Sequence, residues 1–227
     1  MNTLAAGIDL HDNLNPLLWD NFRLRPDVRD GLLKIAKKFY QFVQVPAAVH
    51  DVIVTGSQTS YTYTDYSDLD LHIIVEYGSV ACDQPVDELF RTKRDLWRDR
   101  HTITVKGVPV ECYVEDLDQP VTGSSYSLLK NTWVNRPSKP SNIDEADVDR
   151  VAQAWIIVIT QALHSGELDA LEHTRDLLKD YRRAGLRQQG ELGRANLVFK
   201  SLRNTGVVDL LTRAIRTLQD RELSVPN

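Results

Sequence analysis

Residues 49–75 contain two β-forming runs separated by a polar loop, and this stretch constrains the fold more than any other. The first run, VHDVIV, ends at Gly56 and predicts a short strand followed by a tight turn. The second, SDLDLHIIV, alternates carboxylates with leucines and then becomes fully apolar, which indicates a central strand covered on both faces. The two runs predict neighbouring strands, with a turn at the end of one and an aspartate pair on the other.

The segments around this stretch alternate between helical and strand patterns. Apolar residues every three or four positions predict a helix over 26–43, and a charged helix is expected over 84–100. HTITV, Lys106-Gly107 and VPVECYVED predict a strand, a two-residue turn and a second strand. The segment 119–141 contains three prolines and is predicted to be mainly loop.

The remainder of the chain has a helical pattern. Four helices are predicted, over about 145–164, 168–186, 192–204 and 208–219. We therefore expect an α+β protein. Residues 1–140 would form a mixed β-sheet with flanking helices, and residues 141–227 a C-terminal helical subdomain.

Composition excludes several classes of protein. A net charge of −5 argues against a protein that wraps DNA without regard to sequence. Cys82 and Cys112 form no CxxC pair and have no histidine at ligand spacing, which argues against a zinc knuckle and favours a reducing compartment. No stretch approaches the roughly 20 apolar residues of a membrane span, and the N-terminus lacks a signal-peptide pattern. We expect a cytoplasmic protein without a membrane partner.

Asp68 and Asp70 stand two residues apart in a predicted strand. Because side chains alternate along a strand, both carboxylates should point to the same face, roughly 6–7 Å apart. Two carboxylates so placed repel each other unless a cation lies between them. Mg²⁺ (or Mn²⁺) suits such a site, since it prefers carboxylate and phosphate oxygens.

Gly56 and Ser57 end the neighbouring strand and have the chemistry of a phosphate-binding turn. Glycine lets the backbone approach a ligand closely, and turn N–H groups and the serine hydroxyl can donate to phosphate. In-line displacement at phosphorus commonly uses two metal ions, which call for a third carboxylate. Glu111, a lone acid in the strand VPVECYVED, is the candidate, and Glu115 and Asp116 are alternatives.

The pattern Gly-Ser, ten residues, Asp-Leu-Asp-Leu and a later acid on a strand resembles the motif of the DNA polymerase β-like nucleotidyltransferase superfamily. Thr55 departs from it, since an apolar residue is more usual there. The chain also resembles uncharacterised nucleotidyltransferase-like proteins of tailed phages in YSDLDLHIIV and in a LVFKSLRN-like segment. Because of this second resemblance, the expected locations include the cytoplasm of a phage host.

The resemblance implies a nucleotidyltransferase fold and a role for each motif residue. Gly56 and Ser57 would grip a triphosphate, and Asp68 and Asp70 would bind both metal ions. Glu111 would complete the second metal site and help to deprotonate an acceptor hydroxyl, although the family more often has Asp there. The implied reaction moves a nucleoside monophosphate from an NTP, expected to be ATP, to a hydroxyl and releases pyrophosphate.

The resemblance also implies that the helical subdomain closes over the nucleotide and lends a basic residue. Residues 175–203 hold eight Lys/Arg against three acids, and Lys200 and then Arg203 are the candidates. A solvated helix face explains these residues equally well. Lys130 is a weaker candidate for the triphosphate.

Other side chains have two possible roles. Tyr61, Tyr63 and Tyr66 could stack on a base or pack their loop onto the core. Three arginines could follow a nucleic-acid backbone or be solvated; these are Arg182, Arg183 and Arg187. His72 is expected to be structural.

The sequence leaves the acceptor open between an RNA 3′ end, a protein hydroxyl and a second nucleotide. The chain is short beside CCA-adding enzymes, which favours a small or protein acceptor. Two other functions remain: a non-catalytic nucleotide-binding or interaction module, and a pyrophosphokinase on the same fold.

Overall fold

The computed structural model describes residues 2–3, 9–80, 85–119, 123–139 and 143–225. Within them the chain is an α+β protein with two compact units, one formed by His11–Lys139 and the other by Met1–Leu10 and Pro140–Asn227. The strands are β1 (Asn2–Thr3), β2 (Asp9–Leu10), β3 (Trp19–Asp20), β4 (Arg23–Leu24), β5 (Val49–Thr55), β6 (Leu69–Val75), β7 (Thr104–Val105), β8 (Val108–Asp116), β9 (Ser125–Ser127) and β10 (Thr132–Asn135). The helices are α1 (Pro26–Val43), α2 (Val86–Arg100), α3 (Glu145–Ser165), α4 (Leu168–Gln189), α5 (Arg194–Asn204) and α6 (Val207–Leu223).

A six-stranded mixed sheet forms the centre of the unit His11–Lys139. Its order is β10-β9-β5-β6-β8-β7, and β6 and β8 run parallel while the other neighbours are antiparallel. The parallel pair follows from the connection between them, because α2 carries the chain back to the starting edge of the sheet. The adjacent pairing of β5 and β6 confirms the neighbouring strands predicted from residues 49–75.

Helices α1 and α2 cover one face of this sheet. Pro26 begins α1, where its fixed φ favours a first helical turn, and Gln44 ends the helix in the left-handed conformation. The predicted bounds of α1 are confirmed. Its buried side chains recur at helical spacing; they are Val28, Leu32, Ala36, Phe39 and Val43. They pack in one core with Leu71 and Ile73 of β6 and Cys112 and Val114 of β8.

The predicted hairpin between β7 and β8 is present. Lys106 and Gly107 both have positive φ, at 53° and 83°. Two positive φ values in a two-residue connection are typical of a type I′ turn, whose twist matches that of the strands. The turn sets the register of β8, since Val105 pairs with Val108.

The loop prediction for 119–141 is wrong in part, because this segment contributes β9 and β10 to the sheet. β9 pairs with β5 through Val54↔Tyr126 and Ile53↔Ser127. The strands have only three and four residues, too few for a clear alternating pattern. Long-range packing stabilises them instead, since Trp133 stacks on Trp19 with ring centroids 4.7 Å apart.

The other unit contains the four predicted C-terminal helices, with β1 paired to β2. Asp144 caps the N-terminus of helix α3, where its side chain accepts a hydrogen bond from the backbone N–H of Asp147, and Gly166 follows the helix in the left-handed conformation. The helices share a separate apolar core; its fully buried members include Ile159, Val198 and Leu202. Among the described helices, none combines the length and apolar character of a membrane span.

Candidate nucleotide-binding site

Gly56 and Asp70 lie in direct contact at the end of β5 and the start of β6. Thr55 and Asp70 are register partners, so the chain leaves β5 at Gly56 beside the Asp70 carboxylate. A Cβ added to Gly56 would stand 2.0 Å from Asp70 Oδ2, and the φ of Gly56 is +81°. Both the space and the backbone conformation therefore require glycine at this position.

Asp70 and Glu111 are direct neighbours across the parallel strands β6 and β8. Adjacent strands are about 4.8 Å apart, so the two carboxylates start from backbone positions close enough to share one cation. Side chains of β6 and β8 alternate as the sequence predicts. Leu71 and Cys112 are buried in the helix-covered core. Asp70 and Glu111 therefore belong to the opposite face.

Asp68 lies immediately before the strand rather than within it, because β6 begins at Leu69. Leu69 is fully buried, whereas Asp68 and Asp70 on either side of it are half-buried. This alternation agrees with the predicted common direction of the two carboxylates. The motif thus places Gly56 directly after β5, Asp70 on β6 and Glu111 on β8, with Asp68 directly before β6; these three strands are neighbours in the sheet.

Tyr113 holds Glu111 in place on the same face. Its hydroxyl donates a hydrogen bond of 2.5 Å to Glu111 Oε2, and its ring stacks on His72 with centroids 4.6 Å apart. Burial raises the pKa of Tyr113, and the hydrogen bond to Glu111 and the charge of Asp70 raise that pKa further. The phenol therefore remains a proton donor to Glu111 at neutral pH.

His72 is a buried residue of β6, two positions after Asp70. Its Nδ1 lies 3.0 Å from Glu115 Oε1, and the residue is 8% exposed. A stacked, buried imidazole beside a carboxylate supports the structural role expected for it. Glu115 is thereby placed near His72, two strand positions beyond Tyr113, while Asp116 accepts a hydrogen bond from the backbone N–H of Tyr77.

A dense hydrogen-bond network connects the Gly56-Ser57 turn to the segment before the aspartates. Ser57 Oγ donates to Ser67 Oγ at 3.0 Å, and Gln58 Nε2 donates to the backbone carbonyl of Ser67 at 2.9 Å. Thr59 Oγ1 donates to the carbonyl of Gly56 at 2.7 Å and closes the turn. The sequence did not single out Gln58 or Ser67, because their partners are distant and no periodic pattern marks them.

A cleft between α2 and β8 opens beside Glu111. It is lined by Arg94, Trp97, Arg98, His101, Val110, Glu111 and Cys112. Arg94 and Arg98 both pair with Asp95, at 2.9 and 3.6 Å, and Glu111 adds a second carboxylate. Both guanidinium groups of the lining are thus already paired with a carboxylate.

The three tyrosines in the loop between the Gly56-Ser57 turn and Asp68 lie in different environments. Tyr61 is buried in the core, and Tyr63 stacks on His11 with centroids 3.7 Å apart. Tyr66 is 71% exposed. The first two therefore pack the loop, and Tyr66 alone of the three presents a mostly exposed ring. Lys130 lies 3.4 Å from the buried carboxylate of Asp51.

The predicted basic residues lie in the helical unit. Lys200 and Arg203 are half-buried on α5. On α4, the Arg182 guanidinium lies 4.3 Å from the Phe199 ring centroid and its Nε donates to Asn196, which is consistent with a packing role. Arg183 pairs with Asp180 at 3.1 Å on the surface.

The carboxylates have the donor chemistry of a Mg²⁺ site but are not arranged as a complete one. Within the part of the chain that the structure describes, no group of three or more His, Cys, Asp or Glu is positioned to hold a metal ion. Asp70 and Glu111 nevertheless occupy paired positions on adjacent strands. Cys82 of the sequence analysis lies outside the described residues.

No protein-family model and no curated protein matches the chain. Among solved structures, the STING-associated CdnE c-di-GMP synthase from Capnocytophaga granulosa is a distant match. It shares 13% sequence identity and a TM-score of 0.24, over 88% of this chain and 84% of that one. A likeness of this size supports no conclusion, and the proposed function of this chain rests on its own residues.

Proposed function

We propose that the protein is a metal-dependent nucleotidyltransferase, which transfers a nucleoside monophosphate from an NTP, with ATP as the first candidate, to a hydroxyl. One observation carries the proposal: Gly56 lies against the Asp70 carboxylate where only glycine fits, and Asp70 is the register partner of Glu111. A turn able to approach phosphate is thereby adjacent to two carboxylates. This agrees with the motif resemblance of residues 56–71.

The chain's own groups have separable tasks in this reaction. The backbone N–H groups of the turn and the Ser57 hydroxyl bind the phosphate chain and orient it. Glu111, held by Tyr113, faces the acceptor and takes the proton of the attacking hydroxyl. The new bond joins the acceptor oxygen to the α-phosphorus, and the bond from that phosphorus to the bridging oxygen breaks. Pyrophosphate leaves with the bonding electrons.

Asp68, Asp70 and Glu111 would hold two Mg²⁺ or Mn²⁺ ions. Bound there, the ions would supply charge stabilisation to the attacking and leaving oxygens. The labelled product will show whether the acceptor is an RNA 3′ end, a protein hydroxyl or a second nucleotide.

The decisive experiment supplies each α-³²P-labelled NTP with Mg²⁺ or Mn²⁺ and with RNA, lysate or a second nucleotide. We expect label in a product and release of pyrophosphate. Asp68→Asn and Asp70→Asn should each abolish transfer, because each removes a charged metal ligand while keeping the size of the side chain. Transfer at the wild-type rate in both variants would exclude the mechanism.

Asp65→Asn is the matched control. Asp65 is an exposed residue of the same loop, three positions before Asp68, so this variant removes the same charge without touching the carboxylate pair. It should retain transfer. The identity of the small product separates the alternatives: a pyrophosphokinase releases AMP from ATP, and a binding module shows metal-dependent NTP binding without either product.

A further inference from the structure

Gln58 is a polar side chain enclosed within the fold next to the candidate site. It is 1% exposed, and its amide oxygen accepts a hydrogen bond of 2.9 Å from Asn15 Nδ2. Its amide nitrogen donates to the carbonyl oxygen of Ser67 at 2.9 Å. Its own backbone carbonyl accepts from the indole N–H of Trp19 at 2.8 Å. Gln58 therefore links its own turn to two other segments, one containing Asn15 and Trp19 and one ending at Ser67.

Burial of an amide is costly unless its hydrogen bonds are made, so the environment of Gln58 is specific for this side chain. Its main partner in the N-terminal segment is fixed as well. Asn15 is 6% exposed, and its Oδ1 accepts from the backbone N–H of Leu17. An apolar residue of equal length could fill the space, but it would leave Asn15 and the Ser67 carbonyl without these bonds.

The two segments joined by Gln58 are the two halves of the motif. Gln58 directly follows the Gly56-Ser57 turn, and Ser67 directly precedes Asp68. A second link, from Ser57 Oγ to Ser67 Oγ, uses the hydroxyl that the proposed function assigns to phosphate. The bond from Gln58 goes to a backbone carbonyl instead, and it can persist when Ser57 turns to a ligand.

We propose that Gln58 is a positioning residue, which fixes the distance between the phosphate-binding turn and the aspartate pair. This inference rests on the proposed function and adds to it a residue that does not touch the nucleotide. Holding the two halves in register lets one phosphate chain reach the turn N–H groups and the carboxylates together. Loss of that register lowers the rate of the chemical step, since small displacements of reacting groups cost on the order of a hundredfold.

Gln58→Met tests the role because it keeps the length of the side chain and removes both amide hydrogen bonds. Ser127→Ala is the matched control: Ser127 is fully buried in the same unit and donates to Asp51 at 2.8 Å, away from the turn. Both variants lose buried hydrogen bonds and should melt at lower temperature. At a temperature well below both melting points, kcat should fall by about tenfold or more in Gln58→Met and should not fall in Ser127→Ala.

Gln58→Glu provides a second variant of almost identical shape. It retains an acceptor for Asn15 and places an acceptor opposite the Ser67 carbonyl, so it should also lower kcat. If both Gln58 variants keep the kcat of Ser127→Ala, the positioning role is wrong.

Hydrogen exchange distinguishes this failure from failure of the proposed function. In Gln58→Met, amide exchange should accelerate in 56–60 and in 64–70 together, and Ser127→Ala should leave both segments slow. Faster exchange in only one segment, or in neither, would overturn the inference even if the enzyme is active. If the wild-type protein has no transferase activity, the positioning role in catalysis is wrong. Faster exchange in 56–60 and 64–70 together would still show that Gln58 links the two segments.

Discussion

At the scale of single residues, Gly56 is the position where backbone conformation and the candidate chemistry coincide. Its φ of +81° favours glycine, and the missing side chain lets the backbone lie against Asp70. The sequence indicated a turn that approaches a ligand. The contact with Asp70 was not predicted, because residues 56 and 70 are far apart in the sequence. The register of β5 and β6 brings them together.

Gly56→Ala should therefore impair both stability and activity. The backbone conformation of Gly56 costs about 1–3 kcal/mol for a residue with a Cβ, and the added methyl group must displace the Asp70 carboxylate. Urea denaturation would measure the first effect, and NTP transfer the second.

Gly107→Ala separates these two causes. Gly107 has nearly the same φ, +83°, but nothing lies within 4 Å of its Cβ position. This variant should lose stability by the backbone cost alone and retain transfer. Equal activity of the two variants would show that the contact between Gly56 and Asp70 is unimportant.

At the scale of elements, helices were predicted more accurately than short strands. Helix α1 has eighteen residues and the four C-terminal helices have eleven to twenty-two, so each provides several turns of apolar periodicity. β9 has three residues, all buried: Ser125, Tyr126 and Ser127. Serine is common in loops, so the residue types of β9 do not indicate a strand. The segment is a strand because it pairs with β5, and no local pattern reveals that pairing.

Helix α3 shows how one capping side chain supports an element. Asp144→Ala removes the acceptor for the Asp147 N–H and a favourable charge at the helix N-terminus, and it should destabilise the protein by about 1 kcal/mol. Thermal unfolding would measure the change. Asp144→Asn preserves the hydrogen-bond acceptor and should recover most of the loss; equal losses in both variants would assign the effect to charge alone.

At the scale of the whole molecule, burial of weak acids links folding to alkaline pH. Burial, with the charge of Glu111, raises the pKa of Cys112 from 9.0 to about 12. Burial, with the charges of Glu115 and Asp116, raises the pKa of Tyr77 from 10.0 to about 12. The unfolded chain loses these protons first, so the stabilisation is complete below about pH 9 and declines as pH rises toward about 12.

Stability should accordingly fall between pH 9 and 12, a decline that urea denaturation at several pH values would measure. Tyr77→Phe should lower stability near neutral pH, because the hydroxyl donates to the Val114 carbonyl at 2.8 Å. It should also make the alkaline decline shallower. If the stability of Tyr77→Phe falls as steeply with pH as that of the wild type, Tyr77 does not contribute to the alkaline decline.

Local sequence patterns were enough to predict the helices, the two adjacent strands of residues 49–75, the β7–β8 hairpin and the candidate motif. These features depend on local propensity, periodicity and turn chemistry, all of which are short-range. Which side chains come into contact depends on the tertiary fold. It placed Glu111 beside Asp70, attached Tyr113 to Glu111 and enclosed Gln58 between Asn15 and Ser67. Strand register and long-range hydrogen bonds set those contacts, and they join residues too distant in sequence for any local pattern to pair.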